Sequence, residues 1–240
     1  MSSMQLDAPD GPIEAYLATP SGDGPWPGVV VLHDMLGIGS AVQGSTRMLA
    51  DHGYLAIAPD LFSRGKVRCV PGMIRDLLAN KRDSTPVRDI LAARAQLMND
   101  PRCTGKVAVA GFCLGGAFAL LAATEGFDAA APFYPAGRGN YDEILRGSCP
   151  IVASYGRRDP QNIGRGPKLE RTLTEAGVPH DVKTYPKSGH SFADNHPGQP
   201  LLKVLGLGYN AEATSDAWRR VFAFFDTHLS PGDQPGGPKA

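Results

Sequence analysis

The sequence predicts an α/β chain built on a mostly parallel sheet with helices on both faces. Three observations carry that reading. Short apolar runs alternate with longer stretches of three-to-four spacing along most of the 240 residues, as repeated βαβ units require. The clearest run, Val29-Val30-Val31-Leu32, is apolar at every position, which suits a strand covered on both faces. Composition agrees: 42% apolar residues, with 24 Lys+Arg against 24 Asp+Glu, describe a folded chain with a core rather than a disordered one.

Each element has its own signal. Residues 29–32 form the first buried strand, and 41–52 a helix closed by Gly53. Residues 54–58 are a strand stopped by Pro59-Asp60. Residues 86–98 are a helix that Ser84 or Thr85 can cap. A strand at 107–110 leads into a helix at 114–124. Further strands fall at 129–134, 151–155 and 181–185. The helix at 166–176 ends at Gly177, as a C′ glycine would end it. The last helix, 211–228, carries Trp218, Val221, Phe222 and Phe225 at helical spacing. No repeat or internal linker interrupts the alternation, so residues 1–229 read as one domain with no large cap. The tail, 230–240, has linker composition and is expected to be disordered.

The same arithmetic excludes partners. Zero net charge offers no footprint for nucleic acid. The run at 107–123 is shorter than the ~20 residues of a membrane span and is broken by Gly111, Gly115 and Gly116. Residues 1–11 are too polar for a signal peptide. Cys69, Cys103, Cys113 and Cys149 lack the spacing of a disulfide framework or a zinc site. The expectation is a cytoplasmic protein without metal or cofactor, a monomer or small homo-oligomer.

Ligands of open parallel sheets bind at the carboxyl ends of the strands. One such loop reads Gly111-Phe112-Cys113-Leu114-Gly115-Gly116. This is the strand–turn–helix elbow that presents a nucleophile, with cysteine in the nucleophile's place. With 29 glycines and four cysteines in the chain, chance supplies about 0.06 such matches. The elbow puts Cys113 at a helix N-terminus, which favours thiolate. The other three cysteines lack this context. A thiol nucleophile needs a base, and the base an orienter. His190, in the loop after the 181–185 strand, is the expected base, with His196 of the same stretch as competitor. His180 and His228 sit on a strand edge and the last helix. Asp159, after the 151–155 strand, is the expected acid, and Asp142 the weaker choice. The backbone N–H of Leu114 is one expected oxyanion donor. The other should come from the loop His33-Asp34-Met35-Leu36-Gly37.

These motifs, with Gly189-His190-Ser191-Phe192 and Tyr54-x-x-x-Ala58-Pro59-Asp60-Leu61-Phe62, resemble the dienelactone hydrolase family of α/β-hydrolases from about Ile13 to His228. The resemblance implies hydrolysis of a small lactone or ester by a Cys113–Asp159–His190 triad. It implies Met35 as the second oxyanion donor and an acid beside the thiol, at Asp34, where the family has glutamate. Lactone-cleaving members carry an arginine four residues after the histidine to hold the substrate carboxylate; here Asp194 stands there. If the missing arginine is what limits the rate, arginine in its place is expected to help an anionic lactone. Arg64, Arg68 and Arg138 are the candidate substitutes for the missing cation. Two other functions stay open: a general carboxylesterase on neutral esters, and a non-catalytic ligand-binding member of the fold.

Overall fold

The fold was analysed in a computed structural model, which describes residues 2–79, 81–137, 140–194 and 208–230. Eight strands form one sheet in the order β1-β2-β4-β3-β5-β6-β7-β8. They are β1 (Ser2–Leu6), β2 (Ile13–Ala18), β3 (Trp26–Leu32), β4 (Leu55–Pro59), β5 (Cys103–Phe112), β6 (Ala129–Phe133), β7 (Ile151–Gly156) and β8 (His180–Tyr185). The pairs β1–β2 and β2–β4 are antiparallel, and every other pair is parallel.

Seven helices accompany them among the described residues: α1 (Ser40–Asp51), α2 (Lys66–Leu78), α3 (Thr85–Met98), α4 (Leu114–Ala122), α5 (Tyr141–Ile144), α6 (Arg165–Glu175) and α7 (Ala211–Leu229). The continuous apolar run of β3 explains itself in the packing. Val30 and Leu32 join one core with Val87 and Ile90 of α3, Phe118 of α4 and Leu169 of α6. Val29 and Val31 join a second core with Leu49 of α1 and Trp218, Val221 and Phe225 of α7. Successive strand residues point to opposite faces, so a strand with a core on each side must be apolar throughout.

Predicted ends hold to within a few residues. The α6 terminus is a Schellman closure: Gly177 takes φ 66°, its N–H donates to the Thr174 carbonyl, and Val178 N–H donates to that of Leu173. Ser84 occupies the N-cap position of α3, but its side chain makes no capping hydrogen bond. Four elements were absent from the sequence reading: β1, β2, α2 and α5. The β1–β2 hairpin buries only Leu6, Ile13, Ala15 and Ala18, an irregular pattern and a weak signal at a sheet edge. Helix α2 contains Pro71 and Gly72, which oppose a helical reading. Helix α5 is only four residues long. Residues 231–240 of the predicted tail, His196 and Arg138 lie outside the described residues, as does the side chain of Arg68. No helix among the described residues is long and apolar enough to cross a membrane.

Candidate active site

The carboxyl ends of β3, β5, β6 and β7, together with the loop after β8, converge on Cys113. Strand β5 runs straight into α4, and Cys113 is the residue between them. Its backbone takes φ 52° and ψ −111°, a conformation that costs roughly 1–3 kcal/mol for a residue with a Cβ. The neighbours make that turn possible. A Cβ on Gly111 would lie 2.2 Å from the Gly115 carbonyl oxygen, and one on Gly115 would lie 2.4 Å from that of Leu32. The elbow is also bonded from outside. Cys113 N–H donates to the Phe133 carbonyl (3.1 Å), and the Cys113 carbonyl accepts from Ala117 (3.1 Å) and Ala136 (2.8 Å).

His190 and Asp159 form the next link. His190 Nδ1 donates to Asp159 Oδ2 at 2.7 Å, and both side chains are buried. The carboxylate is held by two further donors, Gln161 N–H on Oδ1 (2.8 Å) and Asn162 Nδ2 on Oδ2 (2.7 Å). Burial alone would raise the Asp159 pKa, but the bonds from His190, Asn162 and Gln161 leave it below its ordinary value. Burial likewise opposes the charged imidazole. The Asp159 carboxylate and the Cys113 thiol outweigh it and lift His190 to about 10. His190 Nε2 is buried and makes no hydrogen bond in this structure, while Cys113 is close enough to bear on its charge. The three predicted residues thus belong to one cluster.

The alternatives fall elsewhere. Asp142 lies on α5 and accepts from Thr172 Oγ1 at 2.8 Å. His180 donates from Nδ1 to the Val178 carbonyl, and His228 packs on Phe224. Burial pushes the thiol of Cys149 up to about 12 and raises that of Cys103, away from thiolate chemistry. Arg64 is engaged in structure. Its guanidinium pairs with both Asp89 oxygens (2.7 and 3.0 Å) and donates to the carbonyls of Asp10 and Gly11.

Asp34 and Met35 begin the loop after β3. Asp34 Oδ1 accepts the Leu36 N–H at 2.7 Å and so shapes the turn that carries Met35. Leu114 is the first residue of α4, where an N–H has no partner within the helix.

Two contributors had no sequence signal. Asn162 fixes Asp159 from three residues away. Tyr134, at φ 35° just past β6, is fully buried and packs edge-on to the His190 ring at 5.2 Å between centroids. Its hydroxyl donates to Asp194 Oδ2 at 2.5 Å. Burial first, then Asp194, Cys113 and Asp34, hold that hydroxyl well above its ordinary pKa. Asp194 is itself only 3% exposed, so it does not stand in solvent as a counterpart to the family's arginine. Among the described residues no group of three His, Cys, Asp or Glu side chains could hold a metal ion.

The comparison with known proteins now has a site to refer to. The profile of the dienelactone hydrolase family matches residues 13–229. The chain belongs to that family. A carboxymethylenebutenolidase from Rhodococcus opacus is 30% identical over 90% of this chain and 87% of its own length. Among solved structures, a Klebsiella pneumoniae protein assigned to the dienelactone hydrolases superposes with TM-score 0.77 at 23% identity, covering 93% of this chain and 97% of its own. An esterase of Pyrobaculum calidifontis gives 0.68 at 16%, covering 94% and 84%. The fold of this family member is that of the α/β-hydrolases, and the chain is a hydrolase of the dienelactone and ester type.

Proposed function

We propose that the chain hydrolyses a small lactone or ester through a Cys113–His190–Asp159 triad and a thioester acyl-enzyme. The observation that carries the reading is His190, bonded to a buried carboxylate on Nδ1 and raised in basicity by Cys113 on its other side. His190 takes the thiol proton, and the sulfur attacks the carbonyl carbon as the C=O electron pair moves to oxygen. The N–H groups of Leu114 and Met35 receive the resulting oxyanion. Collapse breaks the C–O bond to the leaving alkoxide, which takes the proton from His190. Neutral His190 then deprotonates a water that attacks the thioester and restores the thiol. Asp159 keeps the Nδ1 tautomer throughout. Asp34 adds negative charge near the thiol while its carboxylate shapes the oxyanion loop.

An apolar pocket beside the elbow helix is lined by Leu77, Ala117, Pro135, Ala136, Tyr141 and Arg165. The buried Tyr134–Asp194 pair leaves no anion-binding arginine at the family position, which supports neutral lactones and esters over carboxylate-bearing ones.

The test is a panel of neutral and anionic lactones and aryl esters against wild type and Cys113→Ala. We expect turnover by wild type, highest on neutral members, and background hydrolysis with Cys113→Ala. Turnover surviving in Cys113→Ala refutes the cysteine mechanism. No turnover of any member by wild type leaves the binding-only function in its place.

A further inference from the structure

His33 is fully buried and chemically committed, yet the reaction above does not use it. Its Nε2 accepts the Leu61 N–H at 3.0 Å. An amide can only donate, so Nε2 is the unprotonated nitrogen and Nδ1 carries the hydrogen. That Nδ1–H points to the carbonyl oxygen of the next residue, Asp34, at 2.7 Å. The ring therefore links the exit of β3 to the exit of β4. Phe62 packs against it with centroids 4.5 Å apart, and Asp60 Oδ1 lies 3.6 Å from Nε2.

The consequence follows from the geometry of one peptide unit. The Asp34 carbonyl and the Met35 N–H belong to the same plane, and in a trans peptide they point in opposite directions. Anchoring the oxygen on His33 therefore fixes the direction of the Met35 hydrogen. Gly37 N–H reinforces the anchor at 3.3 Å on the same oxygen. The elbow lies directly against this segment, since a Cβ on Gly115 would sit 2.5 Å from the His33 carbonyl oxygen.

We infer that His33 is a positioning residue for the oxyanion hole: its ring aims the Met35 N–H at the reacting carbonyl oxygen. The inference rests on the acyl-transfer reading given above and adds a residue to it.

The experiment compares two reactions of the same thiol in the full-length protein. Acylation by p-nitrophenyl acetate builds an oxyanion, whereas alkylation by iodoacetamide displaces iodide at a saturated carbon and builds none. In His33→Leu, acylation should fall about 10²- to 10³-fold, the usual effect of losing one oxyanion donor, with KM little changed. Alkylation of Cys113 should stay within about threefold of wild type, because the thiol and its base are untouched. His33→Asn, which keeps a side-chain N–H donor, should recover at least part of the loss. Should the leucine variant not fold, His33→Phe, which preserves a ring against Phe62, takes its place with the same expectations. Acylation at the wild-type rate overturns the inference, and so does a parallel fall in both reactions, which marks general damage. Cys113→Ala run alongside separates the two levels. If it still turns over ester, the cysteine reading fails. If it is inert while the His33 variants acylate normally, only the role of His33 fails.

Discussion

Asp159 bonds to His190, Asp194 bonds to the Tyr134 that packs on the same histidine, and both are buried aspartates accepting a short hydrogen bond from an aromatic side chain. Asp159 takes its proton from His190 Nδ1 at 2.7 Å, and Asp194 takes its own from the Tyr134 hydroxyl at 2.5 Å. The first bond joins the carboxylate to the proposed general base. The second joins it to a phenol that burial and nearby charge keep neutral. A carboxylate's role here is decided by which proton it receives, since burial does not distinguish the two.

The comparison can be broken most directly at Asp159. Asp159→Asn should lower kcat about 10²- to 10⁴-fold by permitting the wrong tautomer of His190. Steady-state kinetics on an activated ester measures this, and a change below tenfold would make the two aspartates equivalent. Asp194→Arg should give no gain on an anionic lactone. It buries a cation and removes the Tyr134 acceptor, which should cost about 3–5 kcal/mol in thermal or urea unfolding. Improved turnover of the anionic lactone would show that the position faces substrate after all.

Stability against pH sharpens the same contrast. Asp159 is held below its unfolded value of 3.8, so its contribution is present above that value and lost as pH falls through the lower folded one. His190 is raised from 6.5 to about 10, so its contribution is full below 6.5 and fades as pH rises towards 10. Melting temperature should therefore depend on pH across 6.5–10 in wild type and less steeply in Asp159→Asn. Equal slopes would contradict the coupling. The smallest effect belongs to Tyr134→Phe, about 1 kcal/mol of stability and less than a tenfold change in kcat, checked by unfolding and kinetics.

Much of this was legible in the residues themselves. The elbow can be read because its backbone admits few side chains, so Gly111, Cys113 and Gly115 appear in one short window. The two-sided sheet can be read because β3 must be apolar at every position. Helix α2 stayed hidden because Pro71 and Gly72 argue locally against a structure that packing favours. The Tyr134–Asp194 bond spans 60 residues, and only the folded sheet brings those two positions together. Asp194 read from the sequence as a charge of the wrong sign for substrate. In the fold it is buried and accepts from the Tyr134 hydroxyl, in a turn where Ser191 takes φ 58° and the Asp194 N–H bonds back to the Ser191 carbonyl at 3.1 Å.

The missing side chain at Gly115 has a consequence of another kind. The Leu114 amide belongs to the elbow and the Met35 amide to the loop after β3, and at Gly115 these two pieces of main chain touch with room for no carbon between them. The separation of the two proposed donors is therefore tied to that contact. An alanine at 115 would spare every residue of the proposed triad and still push the two proposed donors apart.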